Sequence, residues 1–149
     1  MKVYADPSFV VSLYSPDANS SAAARTMQAS PADRFLTTFG ELEVINAMGL
    51  RAFREEISPA QAQASLVAFE KDLRDGIFQL RGLSDSVFER ARQLSRQTTA
   101  RLGSRTADLL HVAAALELEV HCLYTFDHHQ RKLAQSLRLK LRPQSIYAP

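Results

Sequence analysis

Short apolar runs alternate along this chain with longer segments in which apolar residues recur at helical spacing. Lys2 to Ala5 predicts a first strand. Asp6-Pro7 follows as a helix start, with aspartate at the N-cap and proline at the first helical position. Phe9, Val10, Leu13 and Tyr14 give that helix an apolar face, and Ser15-Pro16 stops it. A second helix is predicted over Asp17 to Ala29, closed by Ser30-Pro31, before a strand over Arg34 to Thr38. Leu42, Ile45, Leu50 and Phe53 mark a helix over Glu41 to Phe53. The next helix starts at Ser58-Pro59 by the same capping logic and ends at Gly76, with Ala62, Leu66, Phe69 and Leu73 as its stripe.

Ile77 to Leu80 predicts a short edge strand, and Ser84 to Gln97 an amphipathic helix carrying Val87, Phe88, Ala91 and Leu94. Thr106 to Glu119 is apolar nearly all round, which predicts a helix buried on most sides. His121 to Thr125 reads as a central strand, Asp127 to Ser136 as a helix, and Leu137 to Leu141 as a last edge strand. Strands separated by helices argue for an α/β fold, with a parallel sheet covered on both faces. A length of 149 residues is that of one domain, and no repeat or linker interrupts it.

Charge becomes informative only when followed along the chain. Net charge is +2, yet five arginines (Arg90, Arg92, Arg96, Arg101 and Arg105) fall in one stretch that contains no acid. After Asp127 acids are again absent, while Arg131, Lys132, Arg138, Lys140 and Arg142 follow. Either stretch alone is explained by a solvated helix face or a tail; together, beside two candidate acids, they favour a polyanionic partner such as nucleic acid. No apolar run approaches the roughly 18–20 residues that cross a bilayer. Asp6 also interrupts the N-terminus too early for a secretory leader, so a cytoplasmic protein without a membrane partner is expected. The single cysteine, Cys122, lies in a strand-like run, so neither a disulfide nor a cysteine-ligated metal is expected within one chain.

Four carboxylates stand where an apolar run gives way to a polar or helix-starting segment: Asp6, Glu43, Asp108 and Asp127. Ligands of α/β proteins bind at the carboxyl ends of the strands, and acidic, oxygen-rich pockets there suit Mg²⁺ or Mn²⁺. Asp6 and Asp127 also have a structural explanation, since each can cap the helix it precedes. Asp127 even has Gln130 three residues on, the acidic version of a capping box. Asp108 lies just inside an apolar helix, where an unpaired carboxylate is destabilising, so either Arg105 or a metal ion must pair with it. Glu41 and Glu43 stand about 200° apart on their helix and cannot face one pocket. Glu43, with Asn46 and Ala47 following, is taken as the site residue and Glu41 as a solvated first-turn acid.

Crowded carboxylates repel unless a divalent cation holds them. Such a cation can act on a phosphodiester without any Ser, Cys or His nucleophile. Ser8 and Thr125 are polar neighbours of Asp6 and Asp127, able to orient a carboxylate or to cap the local backbone. His111, one turn beyond Asp108, reads either as a satisfied core histidine or as support behind the site. His128 and His129 diverge on their helix and read as surface residues. A glycine-rich phosphate loop, CxxC and HExxH are all absent.

Val3-Tyr4-Ala5-Asp6-Pro7-Ser8, Glu43-Val44-Ile45-Asn46-Ala47, the segment Arg105 to Ala115, and Tyr124-Thr125-Phe126-Asp127 together resemble the PIN-domain family. Within it they resemble ribonuclease toxins of the VapC type, and the likeness runs from Met1 to about Leu141. The resemblance implies one three-layer α/β/α domain over residues 1–149, built on a central parallel sheet. It also implies a Mg²⁺- or Mn²⁺-dependent endoribonuclease that acts on RNA, forms a homodimer and is restrained by a cognate antitoxin. The family's acidic quartet falls on Asp6, Glu43, Asp108 and Asp127 as catalytic and metal-binding residues. Its hydroxyl after the first acid falls on Ser8, although Pro7 stands where a hydroxyl is common. A receiver domain would need an acidic pair after the first strand, and a haloacid-type phosphatase an Asp-x-Asp, but Ser8 occupies that second position. The remaining alternative is a catalytically silent module that keeps the fold to bind RNA or protein.

Overall fold

The computed structural model describes residues 1–29 and 31–145; Ser30, expected to close the second helix, lies outside them. The strands are β1 (Lys2–Ala5), β2 (Asp33–Thr37), β3 (Gln79–Arg81), β4 (Cys122–Tyr124) and β5 (Lys140–Arg142). The helices are α1 (Pro7–Tyr14), α2 (Ser20–Ala29), α3 (Thr38–Phe53), α4 (Pro59–Arg74), α5 (Asp85–Leu102), α6 (Thr106–Glu117) and α7 (His128–Ser136). All strand pairs are parallel, in the order β3-β2-β1-β4-β5.

Strand alternation sorts the core into two layers. Val3, Ala5, Leu36, Cys122 and Tyr124 pack with Phe9 and Val10 of α1, Val44 and Met48 of α3, and Phe69 of α4. Tyr4, Phe35, Leu123 and Leu141 point the other way, toward Val87 and Leu94 of α5, Leu109 and Val112 of α6, and Leu133 of α7. The result is the expected α/β/α sandwich, whose central strands are apolar on both faces because helices cover both. The α4 stripe also turns inward, with Ala62 and Phe69 buried and Leu66 and Leu73 packed beside them. Among the described residues no helix is long and apolar enough to cross a membrane.

Several element ends differ from the sequence expectation, each for a local reason. Helix α3 begins at Thr38 because Thr37, the last residue of β2, is already its N-cap, accepting from the Gly40 N–H at 2.9 Å. Helix α2 begins at Ser20, since Asp17 instead accepts from the Asn19 N–H at 2.8 Å in a preceding turn. Helix α5 continues past Gln97 to Leu102, where Gly103 takes the left-handed conformation (φ 66°) that ends a helix. The last strand starts only at Lys140, because Leu137 caps α7 and Arg138 adopts a φ of 60°.

The strand order places β2 and β3 on one side of β1 and β4 and β5 on the other. Helix α1 therefore leaves β1 toward one face while α7 leaves β4 toward the opposite face. A crevice opens at the carboxyl ends where the order reverses.

Gly40 sits where α3 leaves β2. A Cβ there would lie 2.8 Å from Leu36 Cδ1 and 3.2 Å from Thr37 Oγ1, and Leu36 is fully buried. A Cβ on Gly49, in the same helix, meets nothing within 4 Å. Gly49→Ala is expected to raise stability by about 0.5–1 kcal/mol through helix propensity. Gly40→Ala is expected to lower it by about 1–3 kcal/mol through overpacking. Urea unfolding of the two variants checks the opposite signs.

Candidate functional site

Asp6 follows β1 and caps α1. Its Oδ1 accepts from the Phe9 N–H at 3.1 Å and from Ser8 Oγ at 2.6 Å, and its Oδ2 from Thr125 Oγ1 at 2.8 Å. The two hydroxyls do matching work. While each donates to Asp6, Ser8 Oγ accepts from the Phe126 N–H and Thr125 Oγ1 from the Asp127 N–H, both at 3.0 Å. The Asp6 N–H donates in turn to the Tyr124 carbonyl at 3.0 Å, so the ends of β1 and β4 are locked together. Asp6 is only 2% exposed. Burial pushes its carboxyl up to about 6, against the opposing pull of hydrogen bonds from Ser8, Thr125 and the Phe9 N–H.

Asp127 caps α7, with Oδ1 accepting from the Gln130 N–H at 3.0 Å and Oδ2 from Arg105 Nη2 at 2.8 Å. Burial works against its ionisation, but the Gln130 N–H and Arg105 outweigh burial and hold it below the usual carboxylate range. Asp108 is buried in the first turn of α6. It accepts from the Arg105 backbone N–H at 3.2 Å and from the guanidinium Nε at 3.0 Å. Arg105 thus bridges Asp108 and Asp127, and of the two partners expected for Asp108 it is the one in place.

Glu43 reaches the same region from α3. Its Oε1 is bonded to His111 Nε2, whose Nδ1 lies 2.7 Å from the Tyr4 hydroxyl; that hydroxyl is 3.2 Å from Thr37 Oγ1. Tyr4 and Thr37 carried no functional signal in the sequence, where both read as strand residues. Their one mark is chemical: a buried hydroxyl requires a partner.

All four expected acids line one cleft of about 280 Å³, together with Ser8, Arg105, His111 and Gln130; Glu41 does not line it. Gln130 is buried, and its amide Nε2 has no hydrogen-bond partner among the described residues. The donor set of carboxylate and hydroxyl oxygens, without sulfur, fits a hard divalent cation. Among the described residues, however, no three His, Cys, Asp or Glu side chains stand close enough to hold one. The Arg105 guanidinium lies between Asp108 and Asp127 and pairs with both.

The cleft opens into a wider groove of about 640 Å³ that passes Arg51, Arg54 and the exposed His128 and His129. Arg92, Arg96 and Arg101 are exposed on α5, whereas Arg90 pairs with Glu117 at 2.9 Å. Arg131 departs from the sequence expectation of a phosphate contact. It is 6% exposed, and its guanidinium donates to the carbonyls of Thr125, Pro143 and Gln144 at 2.8–2.9 Å, tying down the chain after β5.

The raised Asp6 carboxyl has a pH consequence. Because the folded state holds this proton more tightly than the unfolded chain, the stability it contributes is full below about pH 4 and is lost as pH rises through about 6. Asp6→Asn removes that dependence. In EDTA, the wild-type-minus-variant difference in unfolding free energy is expected to fall by roughly 2–3 kcal/mol between pH 4 and pH 7. A difference that does not change with pH would contradict the burial argument.

The PIN domain family model matches residues 3–136. No curated protein matches the chain. Among solved structures it is similar to VapC20 of Mycobacterium tuberculosis, a sarcin-ricin loop cleaving toxin, at 18% identity over 85% of this chain and 90% of that one, with a TM-score of 0.64. It is similar to VapBC2 from Rickettsia felis, solved with a DNA fragment from their promoter, at 15% identity over 95% and 98%, TM-score 0.67. It is also similar to FitAcB from Neisseria gonorrhoeae, at 13% identity over 93% and 95%, TM-score 0.64. At these identities the structural likeness is one of fold. The family match, in contrast, runs from within β1 to the end of α7, and on that match the chain belongs to the PIN domain family.

Proposed function

We propose that this protein is a Mg²⁺- or Mn²⁺-dependent endoribonuclease, the toxin of a toxin–antitoxin pair, with Asp6, Glu43, Asp108 and Asp127 as its catalytic and metal-binding carboxylates. The observation that carries the reading is the convergence of these four acids, from four separate segments, on one cleft at the reversal of strand order. Family membership supports it, as do two structural neighbours, the sarcin-ricin loop cleaving toxin of Mycobacterium tuberculosis and a toxin–antitoxin complex from Klebsiella pneumoniae. By the same analogy the partners are an RNA substrate, a cognate antitoxin and a second copy of the chain, and the compartment is the cytoplasm.

Asp6, Asp108 and Glu43 would hold the ion, with Asp127 beside them. When bound, a divalent cation supplies Lewis-acid charge for hydrolysis of a phosphodiester. The protein's own part is positional. Ser8 and Thr125 fix both oxygens of Asp6. The Arg105 side chain is 54% exposed, so rotation toward solvent is enough to release Asp108 and Asp127 and to offer the guanidinium to a phosphate. Arg92, Arg96 and Arg101 would guide the RNA backbone by phosphate contacts, which set register rather than sequence.

The Arg105 bridge is also the one observation that favours a second reading, a catalytically silent PIN-fold module that binds RNA or protein. A guanidinium that never leaves Asp108 and Asp127 would keep a cation out.

The deciding experiment incubates purified, partner-free protein with total cellular RNA, in Mg²⁺ or in EDTA, beside Asp108→Asn. Discrete cleavage is expected only with both Mg²⁺ and Asp108. Cleavage that persists in EDTA or in the folded Asp108→Asn variant would sink the carboxylate site. Absence of cleavage by folded, Mg²⁺-loaded wild-type protein would favour the silent module.

A further inference from the structure

We propose that His111 is a positioning residue for Glu43. Its Nε2–H holds the carboxylate at the cleft, and a buried chain of hydroxyls through Tyr4 and Thr37 determines which ring nitrogen carries that hydrogen. The proposal rests on the reading above, in which Glu43 is a metal ligand.

Glu43 differs from the other three acids. Asp6, Asp108 and Asp127 each accept a backbone N–H at the start of a helix. Glu43 lies beyond the first turn of α3, where the backbone N–H groups are already paired within the helix. Its side chain is 32% exposed, and among the described residues its one hydrogen bond is to His111. A long, partly exposed side chain samples many rotamers unless something holds it. His111 is well suited to do so. Its side chain is 3% exposed, and its ring is stacked on Phe39 with centroids 5.3 Å apart and planes 25° apart. On another side it borders Gly40, where a Cβ would come within 3.6 Å of His111 Cε1. Burial, the Phe39 stack and the Tyr4 hydroxyl thus hold the imidazole in place.

Counting hydrogens orients the chain. Thr37 Oγ1 accepts from the Gly40 N–H as the N-cap of α3, which leaves its own hydrogen for the Tyr4 oxygen. The Tyr4 oxygen, having accepted from Thr37, has its own hydrogen left to donate to His111 Nδ1, 2.7 Å away. An Nδ1 that accepts carries no hydrogen, so the ring hydrogen sits on Nε2, facing Glu43. Reversing the chain would strand the Thr37 hydroxyl hydrogen in a position only 1% exposed. The chain begins on the N-cap of α3, passes through β1 and α6, and returns to α3 at Glu43. Packing of three elements thereby determines where one carboxylate points.

The test is calorimetric titration of partner-free protein with Mn²⁺, with thermal melts alongside, for His111→Asn and His111→Gln. Asparagine places its amide near Nδ1, short of Glu43; glutamine reaches the place of Nε2 and keeps an N–H toward the carboxylate. His111→Asn is expected to weaken Mn²⁺ binding by about 10- to 100-fold, while His111→Gln stays close to wild type. If both variants bind as wild type does, whatever their melting temperatures, His111 is structural only and the proposal falls. It falls equally if glutamine rescues nothing. Wild-type protein that takes up no Mn²⁺ would overturn the metal reading itself, a distinct result. The imidazole ¹⁵N shifts of His111 in wild-type protein need no variant to fold: a hydrogen on Nε2 is expected, and a bare Nε2 overturns the proposal.

Discussion

Carboxylates that share a small cleft repel one another, and much of this molecule is arranged to offset that repulsion. Three of the four sit in the first turn or at the cap of a helix, where backbone N–H groups and the positive end of the dipole face them. Arg105 places a full positive charge between Asp108 and Asp127. Asp6, the most deeply buried, is compensated by two hydroxyls and one N–H, and burial pushes it toward taking up a proton. Each device requires helices to begin at the same edge of the sheet. A parallel sheet with reversing strand order supplies that edge.

The same arrangement separates rigid parts of the site from mobile ones. Ser8 and Thr125 tie Asp6 to the β4–α7 connection, so any movement of that carboxylate would break a lattice of short hydrogen bonds. His111 and Tyr4 are fully packed. Arg105, in contrast, hangs over the cleft with half its side chain in solvent. The part of the site that can change partners is thus a cation, while most of the framework that presents the acids is locked.

The fold was largely legible because its signals are local or periodic. Val3 and Ala5 on one face and Tyr4 on the other follow from the pleat alone. Asp6-Pro7 and Ser58-Pro59 start α1 and α4 as their capping chemistry requires. The misplaced boundaries lay where a cap was hidden inside another element, as at Thr37, or where a helix ran on until a left-handed glycine, as at Gly103. Arg131 was misread for a different reason. A cation beside an acid-free tail looks like a phosphate contact, but the Thr125 carbonyl and the adjacent carbonyls of Pro143 and Gln144 converge on it, and no short window contains them all.

The four acids of the cleft were visible in the sequence by their places in single segments: Asp6 and Asp127 after apolar strands, Asp108 in the first turn of an apolar helix, Glu43 inside α3. Their near neighbours in sequence were legible too, Arg105 for Asp108 and Gln130 for Asp127, but the pairings between distant segments were not. Asp108 and Asp127 share Arg105 across 22 positions of sequence, and Glu43 meets His111 across 68. Hydrogen bonds and ion pairs act over a few ångströms, so partners that distant in sequence are chosen by how strands and helices pack. The sequence by itself determined which segments become strand or helix and which carboxylates those segments carry. Tertiary structure alone decided that Arg105 stands between two of those acids, and that a histidine held from behind by Tyr4 and Thr37 aims a third.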